Sequence, residues 1–430
     1  MLSRIKSKNK NQINSKNKIK SKNKIKSKNK TKKQRGGKFI DKGGFGCVIK
    51  PALQCHSLSK KNSKINFNNY VSKIINHPDE DITEEIFISK ILLQIDPEIN
   101  YFITIKDYCY ITELPEERTD IVNVNYINEQ KTKYNTPIKK NLDNKYCHMN
   151  LNDKPINLIL PFGGISLSKI IKINRKDTNN MKSIMHQLFV TNIKAYFKHL
   201  LVGLEKMHRN KLVNRDIKQK NIILYLDPKF LTKLRTIDLK EKQTDILKIM
   251  NVRYIDFGLS TYIKSSLSND INNIQLNGTY RYLSPDIFIC FLLYKYTDRN
   301  MNYKQKHIYD KIKNVKEALS RIEEKNMLSN LQENINALTK KIQYLMDTNK
   351  LLDKYFGTNT IQLYNGYLQK ADVYALGITI FDTLQLHKHS NVDVRENKLL
   401  YDLLLKMIAI DPDKRYNVVE CIHHPYFRNS

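Results

Sequence analysis

The side chains best suited to chemistry lie in one charged stretch between apolar residues. This stretch runs from Val213 to Leu224 and reads VNRDIKQKNIIL. Asp216 can accept or orient a hydroxyl proton, Lys218 can offset charge on a phosphoryl group, and Asn221 can offer a hard oxygen to a magnesium ion. The alternative for a stretch of this composition is a charged surface turn without function.

A second acidic position lies further along the chain. Asp256 ends an apolar run and is followed by Phe257 and Gly258. A carboxylate at this place suits a second magnesium ligand that bridges two phosphates. Asp-Phe-Gly by itself is a common turn, so it is the order, after the charged stretch, that favours this function.

A glycine-rich turn near the start of the folded sequence can approach a phosphate closely. Its glycines would let backbone amides point at phosphate oxygens, an aromatic residue would cap the tip, and a valine would rest on an adenine ring. These residues are Gly43, Gly44, Phe45, Gly46 and Val48. A β-turn of no special function is the more common outcome for such a sequence alone.

A lysine lies inside a short apolar run and requires a partner there. Lys73 stands within Val71–Ile75, and burying its charge unpaired would be costly. The next predicted helix offers Glu84 and Glu85, and we favour Glu85 because the apolar residues after it then fall on its inward side. The alternative is an edge-strand lysine that points to water.

The elements that must position these residues change character along the chain. Short β-branched runs separated by turns come first, with one helix at 82–94. The runs are Val48–Lys50, Tyr70–Ile75, Tyr101–Ile105 and Asn157–Leu160. From Ile165 onward helical periodicity dominates, and one long helix ends near His208. The pattern predicts an α+β fold, with a small, mostly antiparallel sheet in 36–162 and a helical lobe in 163–430.

Taken in order, these motifs resemble the eukaryotic-type serine/threonine protein kinases. Three further strings follow in the family's order, GTYRYLSPD at Gly278–Asp286, ADVYALG at Ala371–Gly377 and DKRY at Asp413–Tyr416. The resemblance covers most of residues 36–430. It implies a bilobal kinase fold, ATP and Mg²⁺ as cofactors, and transfer of the γ-phosphate to serine or threonine hydroxyls of protein substrates.

The resemblance also implies roles for single residues. Asp216 would be the catalytic base, Lys73 would contact the α- and β-phosphates and pair with Glu85, and Lys218 would mark the serine/threonine-specific subgroup. Asn221 and Asp256 would hold magnesium. The residues expected around the nucleotide are Gly43, Gly44, Phe45, Gly46, Val48, Lys73 and Leu160, the last in the hinge that grips adenine.

Residues outside the reaction centre are assigned by the same resemblance. Asp372 would begin a buried helix and brace the backbone of the catalytic loop, and Asp286 would form a buried ion pair with Arg415. Asn214 departs from the family, which has a histidine at this position that stacks under the residue corresponding to Phe257. Asp286 also departs, because it replaces a glutamate.

A basic tail occupies residues 1–35, with 15 lysines and arginines and no acidic residue. The other 395 residues contain 59 basic and 42 acidic residues, a net charge of +17. One apolar residue in six cannot bury a face, which predicts that the tail is disordered. The tail could contact a polyanion, either nucleic acid or an anionic surface, or it could reflect coding bias alone.

A helical insertion is predicted at about 288–360. Apolar residues there recur at steps of four and three from Ile308 to Ile322 and again from Leu331 to Leu345. This spacing is typical of two amphipathic helices. The helices would either pack on the helical lobe or offer a docking or dimer surface.

Hydroxyl groups between Asp256 and Asp286 are candidates for regulatory phosphorylation. Arg215, beside the expected catalytic base, could bind a phosphate from this segment. The candidates are Ser260, Thr261, Ser265, Ser266, Ser268 and Thr279. Ordinary loop residues without modification are the alternative.

The six cysteines are scattered without metal-site spacing, so we expect free thiols in a reducing compartment. No secretory signal or membrane-spanning run is visible, which predicts a soluble intracellular protein. The Gly43–Pro51 string, the Asn/Ile/Lys bias and the long insertions resemble kinases of giant DNA viruses, for which the host cytoplasm, the host nucleus or the virion is expected. The non-enzymatic alternative is a pseudokinase scaffold that binds partners through its insertions and tail, and the oligomeric state is open.

Overall fold

The structure is a computed structural model of the chain. It describes residues 38–42, 46–55, 66–76, 80–113, 121–123, 147–171, 181–230, 243–263, 279, 282–284, 286–287, 360–385, 397–409 and 412–428. Gly43, Gly44 and Phe45 of the glycine-rich turn lie outside these residues, as do the basic tail and the two predicted insertion helices. No helix in the described ranges is long and apolar enough to cross a membrane.

The chain divides into two compact units. Unit 1 consists of Met1–His77 and Cys109–Asn157, and unit 2 consists of Pro78–Tyr108 and Leu158–Ser430. The helix predicted at 82–94 therefore groups with the later, helical part of the chain. The lobe boundary at 162 expected from the sequence stays a prediction.

A five-stranded sheet runs in the order β1-β2-β3-β7-β4. Its strands are β1 Lys38–Lys42, β2 Cys47–Lys50, β3 Tyr70–Ile75, β4 Asp107–Tyr110 and β7 Ile156–Pro161. The pairs β1–β2 and β2–β3 are antiparallel, as the turns between short β-branched runs predicted. Two further strands, β5 Ile121–Asn123 and β6 Cys147–Met149, form a separate parallel pair.

One predicted strand is wrong. The run Tyr101–Ile105 forms no strand, apart from a single bridge between Phe102 and Tyr254. Its backbone is used in another way, because the N–H groups of Tyr101 and Phe102 donate to Asp96 Oδ2 at 2.7 and 3.1 Å. The buried aspartate holds the chain at the end of the preceding helix, and the strand begins only at Asp107.

Four cysteines form disulfides within unit 1, so the expectation of free thiols is wrong for them. Cys47 is bonded to Cys147, and Cys55 is bonded to Cys109. The partners lie 100 and 54 residues apart, and this separation hid the pairing in the sequence. Cys421 is buried and is the free cysteine among the described residues.

Unit 2 contains the helices and the main hydrophobic core. The helices are α1 Glu80–Ile95, α2 Leu167–Ile171, α3 Met181–Thr191, α4 Ile193–Arg209, α5 Gln243–Ile249, α6 Thr360–Gln385, α7 Lys398–Met407 and α8 Val418–Ile422. Helix α4 confirms the long helix predicted to end near His208. Its residues Tyr196, Leu200, Leu204 and Met207 are at most 1% exposed, because their spacing places them on one face toward the core.

Two small antiparallel sheets in unit 2 carry the charged stretch and the second aspartate. Strands β8 Ile165–Ser166, β10 Ile222–Leu226 and β11 Met250–Tyr254 form the first. Strands β9 Leu212–Val213 and β12 Thr261–Tyr262 form the second. The charged stretch therefore leaves β9 and enters β10, and both of its ends are fixed by strand pairing.

Candidate active site

The hairpin of β10 and β11 brings the two expected magnesium ligands to one end. Ile222 lies opposite Tyr254 in the antiparallel register, so the residue before β10 meets the residues after β11. Ile255 N donates to Asn221 O at 3.0 Å, which closes this end of the hairpin. Asp256 is the next residue, and its carboxylate therefore belongs to the same end of the hairpin as Asn221.

Asp216 lies at the centre of a hydrogen-bond network and is only 7% exposed. Asn221 Nδ2 donates to its Oδ2 at 2.8 Å and to its backbone oxygen at 3.0 Å. Lys218 Nζ donates to the same carboxylate, and Thr279 Oγ1 lies 3.3 Å from Oδ1. The structure thus brings together Asp216, Lys218 and Asn221.

The pKa of Asp216 is raised from its ordinary value. Burial is the largest cause, because it disfavours the charged form, and the nearby charge of Asp256 acts in the same direction. The hydrogen bonds and charge of Lys218 and the hydrogen bond of Asn221 lower the pKa, without cancelling burial. A buried carboxyl group whose pKa is raised by its surroundings is a candidate proton acceptor.

Thr279, which the sequence offered as a candidate for phosphorylation, lies beside the carboxylate. Lys218 Nζ donates to Thr279 Oγ1 at 3.0 Å. The amine therefore bridges the aspartate and an exposed hydroxyl from a segment 61 residues away. This contact ties the charged stretch to the segment that precedes Asp286.

Asp372 braces the charged stretch, as predicted. It is 1% exposed, its Oδ2 accepts from Asn214 N at 2.7 Å, and its Oδ1 accepts from Arg215 N at 2.8 Å. Its predicted place at the start of a helix is wrong, since it lies well inside α6. His208 Nε2 also lies 3.1 Å from Asp372 Oδ2. Sequence reasoning missed this contact, although His208 lies in the last turn of the helix before the stretch.

Two backbone positions are strained at this site. Arg215 has a φ of 66° and Asp256 has a φ of 65°. Both values lie in the left-handed region, which residues other than glycine rarely adopt. Such conformations cost about 1–3 kcal/mol each and persist only where the surroundings impose them. At Arg215 one such constraint is visible, because the Asp372 carboxylate accepts from the N–H groups of both Asn214 and Arg215.

Glu85 lies on the inward side of α1, as the sequence argument preferred over Glu84. Glu85 is 5% exposed, whereas Glu84 is exposed and contacts Thr261 Oγ1 at 3.4 Å. A side chain on Gly258 would meet Glu85 Oε2 at 3.2 Å. The glutamate therefore lies directly against the glycine that follows Asp256 and Phe257.

Phe257 packs on an aromatic residue that the sequence did not single out. Its ring meets Phe102 edge to face, with centroids 5.9 Å apart and planes at 77°. Both rings are buried at 3% exposure or less. Phe102 thus supplies an aromatic partner for Phe257, and Asn214 does not.

The expected nucleotide residues that the structure describes outside this network are Gly46, Val48, Lys73 and Leu160. In unit 1, Val48 lies opposite Lys73 on adjacent strands, so both side chains project from one face of the sheet. Lys73 is half-buried there. In unit 2, Leu160 is half-buried in the last part of β7. Their contact with a nucleotide, and the pairing of Lys73 with Glu85, stay predictions.

The donor set fits magnesium. The amide nitrogen of Asn221 is engaged with Asp216, which leaves its oxygen as the group to offer, and Asp256 contributes a carboxylate at the same end of the hairpin. Within the described ranges no cluster of three histidine, cysteine or acidic side chains is present. Magnesium suits such a set, because it binds one or two protein oxygens and completes its shell with phosphate and water.

Away from the reaction centre, the predicted ion pair between Asp286 and Arg415 is confirmed. Arg415 Nη2 donates to Asp286 Oδ1 at 2.6 Å, and both side chains are buried. Arg415 also donates through Nε to Ala409 O at 2.7 Å and lies over the ring of Tyr374. The shorter aspartate therefore reaches its partner.

Ser260 cannot serve as an accessible phosphorylation site in this structure. It is 3% exposed, and its hydroxyl donates to Asn214 O at 3.2 Å. Two other candidates lie among the described residues: Thr261 is half-buried, and Thr279 is exposed. Ser265, Ser266 and Ser268 lie outside the described residues.

Comparison with known proteins gives relatives for most of the chain. It is 24% identical over 281 residues to "Cyclin-dependent kinase E-1" of Arabidopsis thaliana, a match covering 65% of this chain and 52% of that protein. It is 23% identical over 286 residues to "Probable cyclin-dependent kinase 8" of Dictyostelium discoideum. This match covers 65% of this chain and 63% of that protein. "Calcium-dependent protein kinase 4" of Plasmodium falciparum is 35% identical over 92 residues, 21% of this chain and 13% of that protein.

These alignments leave part of each relative unmatched, since the chain spans 52% and 63% of the length of the first two. The protein kinase domain family matches residues 145–427. That range includes Asp216, Asn221 and Asp256, and it begins after Lys73 and Glu85. Because the match extends over more than half of the sequence, the chain belongs to the protein kinase domain family.

Proposed function

We propose that the protein is a serine/threonine protein kinase that transfers the γ-phosphate of ATP to hydroxyls of protein substrates with the help of magnesium. The observation that carries this proposal is the buried Asp216 carboxylate, held by Lys218 and Asn221 at distances of 2.6 and 2.8 Å. A scaffold without activity would have no need to keep a base, an ammonium and an amide in one network.

The chain's own residues would act mainly by position and charge. Asp216 orients the incoming hydroxyl and accepts its proton, a role that its raised pKa supports. Lys218, already at the carboxylate, offsets the negative charge of the phosphoryl group as the oxygen attacks in line. The rigid hydrogen bonds around Asp216 keep this geometry without reorganisation during the reaction.

The magnesium ligands would be Asn221 and Asp256. Bound magnesium supplies charge neutralisation between the phosphates. Lys73 would contact the α- and β-phosphates and pair with Glu85, with Gly43, Gly44, Phe45, Gly46, Val48 and Leu160 around the nucleotide. These assignments rest on the family resemblance of their motifs, and for Lys73 on its half-buried place in a strand.

Three finer features belong to the same proposal. Specificity for serine and threonine is supported by Lys218, two residues after Asp216, and by its contact with Thr279. Kinship with giant-virus kinases, and a location in the host cell or virion, rest on the Gly43–Pro51 string and the composition alone. A polyanion contact through the 1–35 tail rests on its 15 basic residues.

The test is transfer of labelled γ-phosphate to a generic basic protein and to the kinase itself, with magnesium and with chelator. Wild-type protein should label the substrate only with magnesium, and phosphoamino-acid analysis should find phosphoserine or phosphothreonine. Asp216→Asn, which keeps the size of the side chain, should abolish transfer. Equal labelling by this variant would assign the activity to a contaminant, and absence of labelling by the wild type would favour the pseudokinase scaffold.

A further inference from the structure

Asn214 makes hydrogen bonds through three different groups. Its backbone N–H donates to Asp372 Oδ2 at 2.7 Å, and its backbone oxygen accepts from Ser260 Oγ at 3.2 Å. Its side-chain Oδ1 accepts from the N–H of Asp216 at 3.0 Å. The residue is 2% exposed, so it joins the bracing helix, the segment after Asp256 and the expected base from a buried position.

The side-chain bond spans the strained residue of the loop. Asn214 and Asp216 flank Arg215, whose φ of 66° a non-glycine residue adopts only under constraint. An asparagine oxygen that accepts from the N–H two residues on closes a compact turn and stabilises such a conformation. Because the bond is buried, water cannot readily replace it. It therefore fixes the peptide that carries the Asp216 side chain.

A histidine at this position, as the resemblance predicts, would have an aromatic partner in Phe257. Here Phe257 packs edge to face on Phe102, and Asn214 makes hydrogen bonds to Asp216 and Ser260. The asparagine therefore supports the loop by a different physical means, a directed hydrogen bond to the backbone of the base in place of ring stacking.

We propose that Asn214 is a positioning residue for phosphotransfer. Its side-chain oxygen sets the orientation of Asp216, and its backbone oxygen, through Ser260, ties that orientation to the segment after Asp256. This inference rests on the proposed kinase function. It gives a role to Asn214, which stands where the family has a histidine.

The test compares two variants that differ by one hydroxyl. Asn214→Ser retains an acceptor that can make the same turn, whereas Asn214→Ala removes it at nearly equal volume. We expect Asn214→Ala to lower kcat on the order of 10- to 100-fold, the scale of a misplaced catalytic group. The KM for ATP should stay within about twofold, because no nucleotide contact is changed. Asn214→Ser should recover most of the lost kcat.

A second readout follows the hydrogen bond itself. Hydrogen–deuterium exchange of the Asp216 amide should be slow in the wild type and in Asn214→Ser, and faster in Asn214→Ala. Ser260→Ala, which removes the hydrogen bond to the backbone oxygen of Asn214, should lower kcat by a smaller factor. This variant keeps the proposal testable if Asn214→Ala fails to fold.

The outcomes separate the two proposals. An active wild type with equal kcat and equal amide exchange in Asn214→Ala and Asn214→Ser overturns the role of Asn214 alone. A lower kcat in Asn214→Ala at an unchanged KM for ATP, with recovery of kcat in Asn214→Ser, supports it. A wild type without phosphotransfer overturns the kinase function, and with it the role given to Asn214.

Discussion

Lys218 Nζ lies 2.8 Å from Oδ1 and 2.6 Å from Oδ2 of Asp216, so one ammonium group bridges both oxygens of the carboxylate. The side chain of Lys218 is 21% exposed, and the side chain of Asp216 is 8% exposed. Two effects therefore act on the acid in opposite directions, since burial raises its pKa and the lysine lowers it. Removing the lysine takes away the larger of the influences that oppose burial and leaves the hydrogen bond of Asn221.

Lys218→Met should shift the pH dependence of kcat. A general base works when it is deprotonated, so kcat falls as the pH drops through the pKa of Asp216. Loss of Lys218 raises this pKa further, and the acid limb of the profile should move to higher pH, together with a lower maximal rate. Lys220→Met, a change at a nearby exposed lysine, is the matched control and should leave the limb in place. An unmoved limb in Lys218→Met would show that another group controls the profile.

Asp286→Ala should destabilise the protein by about 3–5 kcal/mol, because it leaves the buried Arg415 charge without its carboxylate. Urea denaturation of both proteins measures this difference. The control is Arg209→Ala, which breaks a pair with Glu205 in which the arginine side chain is 74% exposed. That change should cost no more than about 0.5 kcal/mol. Similar losses in the two variants would contradict the assignment of Asp286.

Gly46→Ala and Gly366→Ala should change stability with opposite signs. A Cβ on Gly46 would overlap the backbone oxygen of Ile74, so the strands must shift, at a cost of about 1–3 kcal/mol. Around Gly366, inside α6, no described atom apart from its chain neighbours and the helix's own backbone lies within 4 Å of an added Cβ. Alanine there should stabilise the helix by about 0.5–1 kcal/mol. Thermal unfolding of both variants checks the pair, and stabilisation by Gly46→Ala would refute this packing.

The cysteine pairing predicts a specific alkylation pattern. When the protein is denatured without reductant, Cys47, Cys55, Cys109 and Cys147 should resist alkylation, and peptide mapping should recover the linked pairs. Cys421, a buried thiol whose pKa burial raises, should react only after denaturation. Cys109→Ser should lower stability by about 2–5 kcal/mol. Full alkylation of all four cysteines before reduction would contradict the pairing.

The sequence identified the residues of the Asp216 network better than the supports around them. The order and spacing of Asp216, Lys218 and Asn221 are local, so a short charged stretch between apolar runs was enough to single them out. Asp372 was reached through its motif, yet its contact with His208 joins residues 164 apart and leaves no local pattern. The strand expected at Tyr101–Ile105 failed for a different reason. The buried Asp96 accepts from the N–H groups of Tyr101 and Phe102, which strand propensity alone would assign to a sheet.

The polypeptide passes between the two units three times, at residues 77–78, 108–109 and 157–158. This limits where the protein can be cut into fragments that fold. Helix α1 contributes Ile88 and Leu92, both fully buried, to the core formed mostly by residues after Leu158. A fragment cut to the family match at 145–427 would lack this helix and expose the apolar surface that it covers. Fragments of that length should aggregate, whereas those that retain Pro78–Tyr108 keep the core closed.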